Sequence, residues 1–265
     1  MKSVIICEGS TDYVLLQYFM QRVNDWSDYR NPQQMTGFKR VRELKKAEDS
    51  LIIGESGGSS RILQCMDNIL EINNISAMGE EYHKIVIITD RDDLDTEEKF
   101  LQGIQDILNA RNIEYSNISE ANEWIDIKQE NGFGQEINIR ILPLVIPFDT
   151  TGALETFLLE AIAEQDEYDK EIINKGGVFV DSIDPEQRYL KKRRYATKAK
   201  FDVYFSVRTP IDQFIERRNI LKDVRWENYI LIQHDFSKII RIIKMIVNIN
   251  KKPTSRSVFL RIIFK

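Results

Sequence analysis

Hydrophobic positions along the 265-residue chain fall into short apolar runs separated by amphipathic stretches. Ser3 to Cys7 is apolar and β-rich, and Asp12 to Val23 follows with Val14, Leu15, Tyr18, Phe19 and Val23 spaced as on one helix face. Residues 24 to 50 are polar and lysine-rich with weak periodicity. Leu51 to Gly54 then predicts a second strand, which runs into the Gly-rich turn Glu55 to Ser60. A helix over Ser60 to Ile72 carries Ile62, Leu63, Met66, Ile69 and Leu70, and Lys84 to Thr89 reads as a strand buried on both faces. Thr96 to Asn112 predicts a helix and 113 to 138 a polar, irregular stretch. Ile139 to Ile146 predicts a fourth strand, ended by Pro147, and Gly152 to Ala163 another helix.

Strands alternating with helices to about residue 165 predict an α/β fold with a mostly parallel central sheet flanked by helices. Ligands of such sheets bind at the carboxyl ends of the strands. Residues 201 to 250 read as helices, clearest over Ile211 to Leu221 and Phe236 to Ile249. The expected organisation is a main domain over 1–205 and a helical extension over 206–265 packed on it.

Composition narrows the class. With 42% hydrophobic and 30% charged residues the chain fits an ordinary soluble globular protein. Its longest apolar runs fall well short of the ~18 to 20 residues of a membrane span. A strand begins almost at the first residue, with no secretion signal ahead of it, so cytoplasm and no membrane are expected. Cys7 and Cys65 stand among apolar residues and read as buried thiols. The net charge of −5 argues against coating nucleic acid through bulk charge, yet Arg188 to Lys200 holds seven basic residues and no acidic one.

Three groups of acids stand at the predicted strand ends: Glu8 with Asp12, Asp90 with Asp92 and Asp93, and Asp149 with Glu155. Past the end of a strand the chain turns, so Asp90 and Asp92 can converge on one point. Carboxylates brought together repel unless a cation sits among them, and Mg²⁺ suits an all-oxygen site that also takes phosphate oxygens. Plainer roles are open for some of these acids: Asp12 as first-turn helix charge, Asp93 and Asp95 as loop charges, Asp149 as a helix cap. Gly57 to Ser60 offers backbone N–H groups for an anion or simply a capped turn, and lacks the Lys of a phosphate-binding P-loop. His83 and His234 stand apart from each other and from cysteine, which leaves zinc little support.

The segment Val4 to Gly9 followed by Asp12, and the segment Ile85 to Asp93 with its Asp-Arg-Asp, resemble the strand, Glu-Gly and Asp-x-Asp motifs of a TOPRIM domain. The likeness is nearest to the small stand-alone TOPRIM proteins and to the nuclease half of the overcoming-lysogenisation-defect family, many of them linked to phage defence. It covers about residues 1 to 205, leaving 24–50 and 113–138 unmatched. It implies a Rossmann-like TOPRIM fold. Glu8, Asp12, Asp90, Asp92 and Glu155 of Gly152-Ala-Leu-Glu155 would then hold Mg²⁺ or Mn²⁺, with Lys198 following, or Lys200 in its place.

On that resemblance the expected activity is metal-dependent phosphodiester hydrolysis, of DNA rather than RNA, with Glu8, Asp90, Asp92 and Lys198 catalytic. Lys191, Lys192, Arg193, Arg194 and Lys200 suit backbone contacts, and Tyr189 and Tyr195 suit stacking on unpaired bases. The family's ATPase domain is absent from the sequence, leaving open a separate ATPase partner, and the carboxy-terminal helices leave open a homodimer. The alternative is a silent or partner-gated module that binds nucleic acid or nucleotide. A haloacid-dehalogenase-like phosphatase also uses Asp-x-Asp, but with Thr or Val where Leu94 stands here, and it leaves Glu8 unexplained.

Overall fold

The apolar runs become the middle of one mixed sheet, in a computed structural model that describes residues 1–30, 34–147, 151–209, 221, 224–230 and 232. Its strands are β1 (Lys2–Cys7), β2 (Ser27–Arg30), β3 (Arg40–Lys46), β4 (Asp49–Glu55), β5 (Tyr82–Asp90), β6 (Glu114–Tyr115), β7 (Ile125–Glu130) and β8 (Glu136–Ile146). They lie in the order β2-β3-β4-β1-β5-β8-β7-β6. The four central strands are parallel, while β2 and β3 on one side and β7 and β6 on the other pair antiparallel.

The helices are α1 (Ser10–Tyr18), α2 (Ser59–Ile75), α3 (Thr96–Ala110), α4 (Leu154–Gln165), α5 (Glu167–Ile183) and α6 (Arg193–Arg208). Right-handed crossovers decide their faces. The chain leaves β1 in one direction through α1 to reach β4, then returns across β1 through α2 to β5 and continues through α3 to β8, so α1 lies on one face and α2 with α3 on the other. Side chains of β1 alternate accordingly. Ile5 and Cys7 join the core under α1, α4 and α6, whereas Val4 and Ile6 join the core under α2 and α3. Each such isoleucine removed from water contributes about 1.5–3 kcal/mol.

The two stretches expected to be irregular form the sheet margins. Residues 24–50 contribute β2 and β3, and 113–138 contribute β6, β7 and the start of β8. The resemblance left both unmatched; here they extend the parallel core with hairpin-like edges. The expected helix over Asp12 to Val23 is α1 followed by a single wide turn, a π-helical Phe19–Val23. Residues 166–187, to which the pattern assigned nothing, supply α5, where only Gly176 and Val180 are buried.

The expected boundary at 205/206 falls inside α6. Beyond it Leu221, Val224, Trp226, Tyr229 and Ile232 join the same core as α1 and α4, with Trp226 stacked edge-on to Phe205 at 6.3 Å. The expected helix Phe236 to Ile249 and nearly all of Ile211 to Leu221 lie outside the described residues, as do Asp149 and His234. Among the described residues no helix is long and apolar enough to cross a membrane. Cys7 and Cys65 are free and buried, as expected.

Candidate functional site

In the parallel sheet the chain leaves β1 and β5 in opposite directions, which opens a crevice at their carboxyl ends. Glu8 follows β1 directly and Asp90 is the last residue of β5. The Glu8 carboxylate accepts from the Thr89 hydroxyl at 3.2 Å, with the Asp90 N–H at 3.5 Å and the Ser59 N–H also directed at it. Its carbonyl oxygen accepts from the Gly57 and Gly58 N–H groups, both at 3.1 Å. Those two residues have φ of +85° and +139°, which glycine adopts without strain. The Gly-rich turn, open to an anion or to a plain capped turn, thus spends these amides on Glu8, and α2 directs its amino end at the Glu8 carboxylate.

Asp12 is 7% exposed in the first turn of α1 and accepts the Gly9 N–H at 2.8 Å, the first-turn helix charge that the sequence left open for it. A Cβ on Gly9 would stand 3.2 Å from the accepting oxygen, close enough to press it away. Glu155, 3% exposed in the first turn of α4, accepts the Thr11 hydroxyl at 2.8 Å. Asp90 accepts the Leu154 N–H at 3.1 Å, which seats it against the amino end of α4.

These acids feel one another. Burial, then the charge of Asp92, raises the Glu8 carboxyl above its ordinary range, against the pull of the Asp90, Thr89 and Ser59 donors. Burial, then Glu155 and Glu8, push Asp12 up to about 8, with the Gly9 amide and the Lys198 charge opposing. Asp90 is raised well above the carboxylate range by burial, then by Asp12, Glu8 and Glu155, the Leu154 amide opposing. One electrostatic neighbourhood therefore joins Glu8, Asp12, Asp90 and Glu155, with Asp92 at its margin through Glu8.

A hard divalent cation fits this donor set of oxygens alone, which carries more negative charge than buried groups hold comfortably. Closure is another matter: among the described residues no three acids stand together as the ligands of one ion would. Asp12 and Asp90 each spend an oxygen on a backbone N–H.

Lys198 is exposed on α6, and its charge reaches Asp12. Lys191, Lys192, Arg193 and Arg194 are exposed as expected. Arg193 donates to the Asp92 carbonyl, and Arg194 lies in the field of Glu8 and Asp92. Lys200 turns away to an ion pair with Asp181 of α5 at 2.8 Å. Asp93 is exposed in the loop.

Arg91, inside the Asp-Arg-Asp segment, carries a role that the sequence reading missed. Its N–H donates to Ile146 O, its carbonyl accepts Gly152 N–H, its Nε donates to Pro147 O and its Nη2 pairs with Glu97 at 2.9 Å. It thereby ties the β8–α4 connection to the β5 turn and sets where Glu155 enters. The one available signal was a cation between two acids. Thr11 and Thr89, equally missed, sit beside the motif acids, where a hydroxyl gives no periodic signal.

Comparison with solved structures finds a hypothetical protein of Pyrococcus horikoshii OT3, at a TM-score of 0.52 and 15% identity over 92% of this chain and 94% of that one. At that identity the likeness shows the fold alone, an α/β arrangement spanning nearly the whole of both chains. Comparison with curated proteins gives no match. The model of the family described as "Protein of unknown function (DUF3226)" matches residues 2–232, past the end of α6 and into the segment around Trp226, and the chain belongs to that family.

Proposed function

We propose that this chain is a divalent-metal-dependent phosphodiesterase of the TOPRIM type, acting on nucleic acid, DNA ahead of RNA. The observation that carries the reading is the convergence of Glu8, Asp12, Asp90 and Glu155 from β1, α1, β5 and α4 on the crevice between β1 and β5, each within the field of others. Buried carboxylates that repel one another cost stability, and such sites are commonly functional.

Glu8, Asp12, Asp90, Asp92 and Glu155 would hold Mg²⁺ or Mn²⁺, which when bound polarises a phosphoryl oxygen and lowers the pKa of its water. The chain's own residues orient that set. Thr89 and the amino end of α2 orient Glu8, Thr11 holds Glu155, and Arg193 fixes the turn that carries Asp92. Lys198 and Arg194 supply positive charge on the α6 side, where they would meet the phosphoryl oxygens. The buried free thiols Cys7 and Cys65 suit a reducing compartment such as the cytoplasm.

One observation favours a second reading, a module gated by a partner such as a separate ATPase: Asp12 and Asp90 are drawn onto backbone N–H groups rather than closed on one point. Plasmid cleavage by the purified protein with Mg²⁺ or Mn²⁺, beside folded Glu8→Ala and Asp90→Ala variants, separates the two. Cutting lost in both variants supports the hydrolase. Metal binding that needs Glu8 and Asp90, without cutting, supports the gated module.

A further inference from the structure

The segment between Asp184 and Lys198 carries aromatic residues for which the acid cluster has no use. Tyr189 is 72% exposed and Tyr195 41% exposed, so neither ring supports the core. A guanidinium lies over each: Arg188 at 5.5 Å from the Tyr189 centroid, Arg194 at 5.2 Å from that of Tyr195. Tyr189 is nevertheless held firmly. Asp184 accepts the N–H groups of Arg188, Tyr189 and Leu190 at 2.9, 2.7 and 2.7 Å, which fixes the turn and presents the ring to solvent.

Cations are also placed where folding alone disfavours them. Helix α6 opens on Lys192, Arg193 and Arg194 with no acid in its first turn, although its amino end already carries partial positive charge. From there the path leads to the acids, since Arg193 touches the Asp92 carbonyl. A duplex keeps its bases stacked inside and offers these rings no π-face, whereas an unpaired strand offers both phosphates and free bases.

We propose that this segment receives a polynucleotide with unpaired bases, its phosphates on Arg188, Lys191, Lys192 and Arg193 and its bases on Tyr189 and Tyr195. The inference depends on the hydrolase reading only for what happens where the path ends. It makes the substrate a single strand, or the frayed or looped part of a duplex, of DNA or RNA.

Fluorescence anisotropy in EDTA tests it, using labelled 20-nucleotide single strands of DNA and of RNA and the blunt DNA duplex of the same sequence, over a series of salt concentrations. The single strand of at least one sugar type should bind more tightly than the duplex. Tyr189→Ala and Tyr195→Ala should each weaken single-strand binding roughly five- to a hundredfold while leaving the salt slope unchanged. Tyr189→Phe and Tyr195→Phe should retain most of the affinity, because the ring stacks without its hydroxyl. Lys191→Ala with Lys192→Ala should flatten the slope for every ligand. Equal or tighter duplex binding, or single-strand affinity indifferent to both Ala variants, overturns the proposal. Because no metal is present, such a result leaves the cleavage reading standing. Tyrosine-dependent binding by a protein that never cuts supports the path and counts against the hydrolase alone.

Discussion

Two sets of buried acids lie one strand apart, and they are treated differently. At the end of β4, Glu55 is 1% exposed and meets two cations, Lys39 at 3.0 Å and Arg40 at 2.6 Å; Glu43 on β3 likewise meets Arg30 at 2.5 Å and the Ser50 hydroxyl at 2.8 Å. One strand over, Glu8, Asp12 and Asp90 form no ion pair among the described residues, and their partners are amides and a hydroxyl. Both environments are close enough for Cys7 to feel Asp12 and Glu55 together, and burial first and then those charges hold its thiol protonated, well above the usual range. The fold thus has cations available and places them on Glu55 rather than on Glu8, Asp12 or Asp90. Paired buried charge is architecture; buried acids that form no ion pair are candidates for function.

Catalysis should break the comparison most visibly. Glu8→Ala and Asp90→Ala, checked for folding by circular dichroism, should lower metal-dependent cleavage roughly a thousandfold or more, since the ion supplies several kcal/mol of transition-state stabilisation. Glu55→Gln should leave the rate per folded molecule within about tenfold. Equal losses in all three would mean that the two sets of acids do the same work.

Arg91→Ala comes next. Through its side chain Arg91 pairs with Glu97 and holds Pro147 O, and so fixes the connection that delivers Glu155. Removing such a support typically costs 10- to 100-fold in metal affinity. Titration with Mn²⁺ followed by calorimetry should show that loss in Arg91→Ala and a smaller one in Arg91→Lys. Unchanged affinity would make the clamp purely structural.

Stability should then separate the two sets by sign. In EDTA, Asp12→Asn replaces an acid whose ionisation burial and Glu155 oppose, and keeps an oxygen for the Gly9 N–H, so the melting temperature should rise by a degree or more. Glu55→Gln leaves Lys39 and Arg40 without their acid and should lower stability by about 1–3 kcal/mol, the lower part of that range being favoured because both cations are partly exposed. Saturating Mg²⁺ should erase the Asp12→Asn advantage. The same logic sets the pH dependence. Asp12 takes up a proton on folding wherever the pH lies between its unfolded pKa, about 4, and its folded one, about 8. Its contribution to stability is therefore full below about pH 4 and is lost as the pH rises towards 8. Thermal melts in EDTA should show that decline, and the stabilisation gained from Mg²⁺ should be larger at pH 8 than at pH 6.

How much of this could be read beforehand depends on whether a residue's role is set locally. β1, β5 and the second half of β8 are continuous apolar runs because both their faces are covered, and they stand out in the sequence. β7 does alternate strictly, with Ile125, Ile127 and Gln129 inward, but the buried polar Gln129 masks the period, and β2 is exposed throughout. Helix α5 buries too little to show a stripe. In the site, Glu8 and Asp90 are legible because strand ends are legible. Glu155 is legible as an acid after a strand end, and a motif likeness adds its role as a metal ligand. The Arg91 clamp was hidden because it joins segments far apart in sequence, and the cations on Glu55 because they stand on or beside β3, a strand with no apolar run to mark it.

The smallest effect concerns the basic segment and turns on a single lysine. Lys200 was grouped with Lys191, Lys192, Arg193 and Arg194, yet it pairs with Asp181, across half-exposed surface where such a pair is worth at most about 1 kcal/mol. A lysine already neutralised by an acid releases few counterions when a strand binds. Lys200→Ala should therefore leave the salt slope of single-strand binding unchanged, whereas Lys191→Ala should reduce it by about 0.7, one phosphate's worth for a single strand. A slope that falls equally in both variants would show that Lys200 abandons Asp181 for the phosphate. The exchange would be cheap, because the ion pair given up is weak, and Asp181→Asn should then raise single-strand affinity by freeing the lysine in advance. If Lys200 stays paired instead, Asp181→Asn acts only through the general field of one lost negative charge, and the same small gain should persist when Lys200 is already alanine.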